Sequence, residues 1–454
     1  MDFFEGQEIE LEITGMNHQG QGVAKPDGFT VFVDEAITGE IVRVRITQKK
    51  KTYAVGFAIE VLRQSTERAL RFCPVFGKCG GCQLQHMTYR ENLRFKEIVV
   101  SDSIQRIAKL KKTLVLPTIG MIDPFKYRNK AQFPYGKRGG RTISGLYYKK
   151  SHKIVEFLEC PIQKEVNDKV RRVVDEFVAE YRIEPYNEET KEGYLRHVCV
   201  RTSHNIDEAM VVLVVNGKSF PRMDELIRSL TLSIPIIKSI YLNVNTANTN
   251  IVLGEENILV YGKDNIVDIL GDFKFEISPM SFYQVNPIQT EFLYSEALKY
   301  ADLNGEETVF DLYSGIGTIS LFFSKKAKKV YGIEVVKQAV NDANRNRVLN
   351  NIENVEFLEG LVEKEVPKLL SKGVKADVVV LDPPRKGCDE KLLKVISKIN
   401  PSKIVYISCN PSTLARDLAF LENEGFKTLK VQPVDMFPWT RHIETCSLLT
   451  SNSC

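Results

Sequence analysis

The chain has 454 residues, 43% apolar and 26% charged, with a formal net charge of +4 at pH 7. This length exceeds a single core and calls for two or three domains of ordinary globular composition. A charge so near balance does not by itself imply a polyanionic partner. No window of about 18 apolar residues occurs, and no basic leader precedes an apolar run, so the expectation is a soluble cytoplasmic protein without membrane contact.

Residues 1–62 alternate apolar and polar in EIELEI, FTVFV, EIVRVRI and YAVGFAIEVL, separated by glycine-rich or polar turns. This predicts a small OB-like barrel of short strands. Its last turn reads TQKKKTY, with Arg43, Arg45, Arg63, Arg68 and Arg71 around it. Such a cluster serves either as a solvated sheet edge or as a nucleic-acid surface.

The nine cysteines are unevenly spread, with Cys73, Cys79 and Cys82 close together in CPVFGKCGGCQLQH. In a large chain from a reducing compartment, that pattern favours metal binding or catalysis over disulfides. Three thiolates need a fourth ligand, and Cys160 in ECP is the best candidate because proline follows it, as in ferredoxin-type runs. Zinc would be satisfied by the same four sulfurs. Cys199, Cys388, Cys446 and Cys454 are left as ordinary cysteines.

ENLRFKEIVVSDSIQRIAKL has helical periodicity. From Lys126 to Lys153, nine lysines and arginines occur without an intervening acid until the segment ends, and Tyr127, Phe133, Tyr135, Tyr147 and Tyr148 are interleaved. Cations hold phosphates and aromatic faces stack on unpaired bases, so this stretch is read as an RNA contact. Strand patterns continue through residues 194–280 and predict a β-rich middle region.

From about residue 285 helices alternate with apolar strands, at TVFDL, KKVYGIEV, VEFLE, ADVVVLDPP and KIVYISC, followed by LKVQPVDMF and HIETCSLLT. This predicts a doubly wound α/β sheet with an antiparallel end, its ligands beyond the strands' carboxyl ends. DLYSGIGTISL supplies a glycine turn before a helix, and Glu334 ends the next strand, placed for ribose hydroxyls. The third glycine of a dinucleotide fingerprint is absent, which fits a nucleoside cofactor without a diphosphate, such as S-adenosylmethionine. Asp382 in LDPPRKG stands at the same edge, as does Cys409 in YISCNPSTLARD, where a helix begins and its N-terminus helps a thiolate. A thiolate added to uracil C6 makes C5 nucleophilic, and a base must later remove the C5 proton. Glu444 in TRHIETCSLL offers that base, on the same strand face as His442, which is read as structural.

Collected in order, the cysteine cluster, SFYQVNP, DLYSGIGT, GIE, DPPR, SCNPSTLARD and HIET resemble the RNA uracil-5-methyltransferase family, in particular its iron–sulfur branch acting on 23S ribosomal RNA. The resemblance spans essentially the whole chain. It implies a TRAM-like barrel at 1–62, a central iron–sulfur and RNA-binding domain at 63–275, and a Rossmann-like S-adenosylmethionine-dependent methyltransferase domain at 276–454. The helix near 92–112 is implied to pack on the catalytic domain.

By the same resemblance, Cys409 is the nucleophile and Glu444 the base, while Gln284, Tyr313, Glu334 and Asp382 line the cofactor and uracil site. Cys73, Cys79, Cys82 and Cys160 hold a [4Fe-4S] cluster. Thr318 stands where some relatives carry asparagine, and LEGLVEKEV lacks the aspartate that often meets the adenine amine. The implied partner is 23S rRNA before ribosome assembly is complete, bound by a monomer. The alternatives are methylation of the tRNA T-loop uridine, a non-catalytic RNA-binding assembly factor, and a cytosine-5 methyltransferase, against which SCNP and HIET together point to uracil.

Overall fold

The structure, a computed structural model, describes residues 3–452, so Cys454 lies outside the described residues. Strands β1 (Glu8–Glu12), β2 (Gly15–Met16), β3 (Gly22–Ala24), β4 (Thr30–Asp34), β5 (Ile41–Lys49) and β6 (Tyr53–Arg63) form one sheet in the order β1-β5-β6-β4-β3-β2. Alternation places Val31, Val33, Val42, Val44 and Ile46 in its core. The crossing of β5 and β6 is so close that a Cβ on Gly56 would lie 2.3 Å from Val44 Cγ1. The arginines near the basic turn are engaged within the protein: Arg43 with Glu10 and Glu60, Arg45 with Glu8, Arg63 with Glu12, Arg68 with Glu40, and Arg71 with Glu35. As a nucleic-acid surface the cluster is therefore much weaker than its sequence implies.

Helix α1 (Tyr89–Arg106) follows the cysteine loop, with Thr88 as its N-cap accepting from Glu91 N. After β7 (Leu114–Val115) comes the central unit, a sheet in the order β15-β14-β13-β12-β8-β9. Its strands are β8 (Lys130–Arg138), β9 (Arg141–Ser144), β12 (Leu195–Thr202), β13 (Ala209–Val215), β14 (Ile237–Val244) and β15 (Glu256–Gly262). Beside it lie the small pair β10 (Leu146–Tyr147) and β11 (Ile154–Val155). Helices α2 (Glu165–Glu180) and α3 (Met223–Ser233) share its core through Val170, Val174, Phe177, Leu226 and Leu230.

This unit corrects the RNA reading of residues 126–153 in two ways. Tyr127, Phe133 and Tyr135 are buried, so they pack cores rather than meet bases. Acids from elsewhere in the chain also neutralise much of the charge: Lys126 pairs with Glu165, Lys137 with Glu184, and both Arg138 and Arg141 with Glu156.

A two-stranded pair, β16 (Ile266–Leu270) and β17 (Phe273–Ile277), leads through α4 (Pro287–Ala301) into the C-terminal unit. That sheet comprises β18 (Thr308–Leu312), β19 (Lys329–Glu334), β20 (Val355–Glu359), β21 (Val378–Leu381), β22 (Lys403–Ser408), β23 (Phe426–Val434) and β24 (Glu444–Ser451). Helices α5 (Thr318–Ser324), α6 (Lys337–Leu349), α7 (Val362–Ser371), α8 (Glu390–Ile399) and α9 (Pro411–Asn423) connect them. The order is β20-β19-β18-β21-β22-β24-β23-β7, parallel from β20 to β22, with β24 antiparallel to both its neighbours. The doubly wound sheet with an antiparallel end is as the sequence predicts. Its far edge is completed from the first third of the chain, because β7 pairs in parallel with β23. No described helix is long and apolar enough to cross a membrane.

Helix α1 lies against α9 and β23 of this sheet. Its Lys96, fully buried, donates to Asp435 and to Phe437 O at 3.0 Å, and Asp435 is fully buried as well. Tyr89 OH donates to the other Asp435 oxygen at 2.8 Å. Removing one partner of such a pair strands a buried charge, which costs about 3–5 kcal/mol. Lys96→Ala is therefore expected to lose about that much in urea unfolding, and Lys96→Met combined with Asp435→Leu to recover most of it. A Lys96→Ala loss below about 1 kcal/mol would show that the pair is not buried as described.

Candidate functional site

β22 ends at Ser408 and Cys409 follows, before the first turn of α9. Asn410 caps that helix, its side chain accepting from Ser412 N at 3.1 Å, and Pro411 sits where no amide donor is needed. β22 and β24 pair antiparallel with Ser408 opposite Thr445, and Thr445 Oγ1 donates to Ser408 O at 3.0 Å. One further step along this register sets Cys409 across from Glu444, on the same side. Both line a single cavity of about 620 Å³. β24 is an interior strand and Glu444 is only 4% exposed, which rules out a solvent-facing edge position.

Charge in this cavity is held back by burial. Burial pushes the Cys409 thiol up to about 12, and the carboxylates of Glu444 and Asp382 push the same way, while Arg385 opposes them. Burial, with Asp382 next, raises the Glu444 carboxyl well above the usual range, again against Arg385. The resting site thus holds a thiol, not the thiolate expected from a helix N-terminus. Desolvation exceeds the dipole here, and the cap side chain already takes one of the terminal amides. Arg385 Nη2 lies 2.7 Å from His442 Nδ1. Burial, then the charges of Arg385 and Arg441, lower the His442 imidazole to about 4, so at neutral pH it is an uncharged acceptor for Arg385.

Gln284 borders the same cavity. Tyr313, Glu334 and Asp382 do not line it; they stand along the carboxyl ends of β18, β19 and β21. Tyr313 takes a left-handed backbone at φ 77°. Glu334 accepts from Gly315 N at 3.0 Å and Val336 N at 2.9 Å, leaving a lone pair on each oxygen for further donors. Gly317, at φ 86°, begins α5, and a Cβ there would lie 2.6 Å from Phe357.

Two residues join the site without having been assigned to it from sequence. Asp311 is fully buried on β18, accepts from Ser320 Oγ at 2.5 Å and has no partner for Oδ1. Burial raises it to about 7, as it does Asp382; Asp311 pushes Asp382 further up, and Glu334 does the same to Asp311. An acid inside the apolar strand TVFDL was the available signal. Arg385, three residues after Asp382 in LDPPRKG, is the cation facing Cys409 and Glu444. Together these acids make a crevice suited to a positively charged ligand, beside a thiol and a buried carboxyl.

Cys73, Cys79, Cys82 and Cys160 line the other part of the same cavity. Gly81 N lies 3.3 Å from Cys79 Sγ. Burial raises the thiols of Cys79, Cys82 and Cys160, and neighbouring cysteines of the four raise them further. Among the described residues, no three His, Cys, Asp or Glu side chains form a group that could hold a metal ion. The loop also braces the segment that leads to Glu444. Gln83 N and Leu84 N each lie 3.0 Å from Trp439 O, and Arg441 N donates to Gln83 Oε1 at 3.3 Å. Trp439 needs this support, having a left-handed φ of 67°.

Residues 237–452 match the family described as tRNA (Uracil-5-)-methyltransferase, and residues 2–59 match the TRAM domain. An RNA methyltransferase of Halalkalibacterium halodurans is 49% identical over 441 residues, covering 97% of this chain and 96% of its own. One of Caldanaerobacter subterraneus subsp. tengcongensis is 48% identical over 444 residues, covering 98% of each. Among solved structures, the Pyrococcus abyssi tRNA (uracil-54, C5)-methyltransferase in complex with S-adenosyl-L-homocysteine is 27% identical, with a TM-score of 0.78, covering 97% of this chain and 100% of its own.

A thiol raised to about 12 should be slow to alkylate. In the free protein, the rate of iodoacetamide labelling of Cys409, followed by peptide mass spectrometry, is expected to rise about tenfold per pH unit from 7 to 10 without levelling. A plateau near pH 9 would mean the thiol is unshifted.

Proposed function

This chain belongs to the tRNA (uracil-5-)-methyltransferase family, and we propose that it methylates C5 of a uridine in 23S rRNA. The choice of that RNA rests on the resemblance of its barrel and cysteine cluster to the branch acting on it. The observation that carries the chemistry is the register of β22 and β24, which sets Cys409 beside Glu444 in one cavity. Cys409 Sγ adds to uracil C6, and negative charge passes to C5 and O4 of the ring. The buried cavity resists charge on sulfur, so the thiol passes its proton to solvent water at the cavity mouth as that charge moves on to the ring. Arg385, held by His442, faces this charge. S-adenosylmethionine, when bound, supplies an electrophilic methyl group and leaves as S-adenosylhomocysteine. Glu444 enters the next step as its carboxylate, which the same burial makes a stronger base. It removes the C5 proton, C5=C6 re-forms and the thiolate departs.

Gln284, Tyr313, Glu334 and Asp382 would hold the cofactor and the uracil. The acids Asp311 and Asp382 suit a cofactor that carries an ammonium and a sulfonium, and the lone pairs left on Glu334 suit ribose hydroxyls. Cys73, Cys79, Cys82 and Cys160 would hold a [4Fe-4S] cluster. Support for this is donor chemistry alone: four cysteines line one cavity and burial raises three of them. No three of them form a metal-holding group among the described residues, so binding would have to draw them together. The cluster would act structurally, by fixing the loop that supports Trp439. The protein would work in the cytoplasm as a monomer on rRNA still accessible to it.

A second reading, methylation of a tRNA T-loop uridine, is favoured by the similarity to the Pyrococcus abyssi enzyme. Mapping 5-methyluridine in rRNA and tRNA from a deletion strain separates the two. Loss from tRNA alone would overturn the rRNA assignment. Iron and sulfide analysis of anaerobic preparations, with the visible absorbance, separates the cluster from zinc.

With purified protein, Cys409→Ala is expected to abolish methyl transfer to RNA. Glu444→Gln should leave a covalent protein–RNA adduct that survives denaturing electrophoresis, because the C5 proton stays in place. Full turnover by Cys409→Ala would sink the mechanism.

A further inference from the structure

A second cavity, about 1400 Å³, opens on the central unit beside the cysteine loop, whose Gly80 N and Lys78 O bond to Tyr147 O and Lys149 N of its wall. It adjoins the catalytic cavity through two strands. Lys130, Ala131 and Gln132 of β8 line the catalytic cavity, and Tyr135 to Arg138 of the same strand line the second. Likewise Leu146 of β10 faces the first and Tyr147 the second. From Gln132 to Tyr135 is about 10 Å of extended chain, so the two cavities are close neighbours.

The walls of this groove differ in chemistry. One carries what remains of the basic stretch once its paired cations and buried aromatics are set aside: Tyr147, Tyr148, Lys149 and Lys153. Neither lysine makes an ion pair among the described residues. The Tyr147 ring is held in place from two sides, with its hydroxyl 3.2 Å from His197 Nε2 and its face stacked on exposed His152 at 5.4 Å. Burial, then Arg196, lowers His197 to about 4, so it stays neutral and can accept from Tyr147. The adjoining wall is the loop after α2, which brings Glu188, Glu189 and Glu192. Glu188 Oε2 lies 3.3 Å from His152 Nδ1, so it steadies the stacked ring and leaves Oε1 for another donor.

We propose that this groove is a flanking-nucleotide subsite for single-stranded RNA next to the target uridine. It places phosphates toward Lys149 and Lys153, stacks a base on the Tyr147–His152 pair and turns that base's N–H edge toward Glu188 and Glu192. The proposal rests on the RNA methyltransferase reading. Carboxylates accept from amino and imino groups, so the groove prefers guanine or cytosine over uracil at this position.

The test uses the full-length protein and fluorescein-labelled single-stranded RNA of about 20 nucleotides, long enough to span both cavities, with one uridine flanked by guanosines or by uridines. Lys149→Glu combined with Lys153→Glu is expected to raise Kd about tenfold and to flatten the slope of log K against log salt by about 1.4, two phosphates' worth for a single strand. His152→Ala, at an exposed loop position, should weaken binding several-fold, with an unchanged urea-unfolding midpoint checking that the fold is kept. Glu188→Gln combined with Glu192→Gln should erase the preference for guanosine-flanked RNA. In each variant KM for RNA should rise while kcat at saturating RNA holds. Unchanged Kd, slope and flank preference, with the wild type methylating the same RNA, would overturn the subsite and leave the enzyme assignment standing. A wild type that methylates no uridine in any RNA would overturn the assignment, and the subsite with it.

Discussion

Lys96 and Asp435 are 339 residues apart in the chain, and both are fully buried. An ion pair without water repays its desolvation only when every remaining donor and acceptor is used. Here the ammonium also donates to Phe437 O, and the second carboxylate oxygen takes the Tyr89 hydroxyl, which in turn accepts from Met121 N. Four positions are thereby fixed together: α1, the strand exit after β23, the turn through Phe437, and the stretch before β8. The Asp435 backbone joins in, since Asp435 N donates to Ile119 O and Gln289 Nε2 donates to Asp435 O. The path from Asp435 to Glu444 is short, so whatever holds Asp435 limits where the candidate base can stand.

The cysteine loop grips the same path from the other side. Backbone amides of Gln83 and Leu84 meet Trp439 O, while Gly80 N meets Tyr147 O in the central unit. Toward the barrel, Glu35 is paired with Arg71 and crowds Gly77, where a Cβ would lie 2.5 Å from Glu35 Oε1. One loop therefore touches the barrel, the central sheet and the segment leading to Glu444. A centre bound by Cys73, Cys79, Cys82 and Cys160 would stiffen that junction, a role that needs no chemistry of its own.

The catalytic sheet was legible because strands buried on both faces read as short apolar runs, and their polar ends mark the ligand edge. Asp382, Glu334 and Cys409 could be placed at that edge from sequence because each closes such a run. Asp311 was passed over because it sits within a run rather than after it, and only the fold shows it acting on Asp382 with its own Oδ1 unpartnered. The basic stretch at 126–153 misled for a different reason. Composition counts charges along the chain, whereas neutralisation happens across space, by Glu156, Glu165 and Glu184 from segments further along. Tyr127, Phe133 and Tyr135 likewise have the composition of a stacking surface and the burial of a core.

By itself the sequence determined the order of units and the strand-ending residues, because period-two and helical patterns and local turns are properties of neighbouring residues. Its resemblance to a known family offered Cys409 and Glu444 as the candidate pair. Only the tertiary structure decided which residues act on one another. It put Glu444 on an interior strand opposite Cys409, built the Lys96–Asp435 anchor, and brought four cysteines to one cavity. It also set the protonation of the site. A thiol at a helix start reads as a thiolate, yet burial among carboxylates keeps Cys409 protonated, since desolvation depends on what the whole fold excludes.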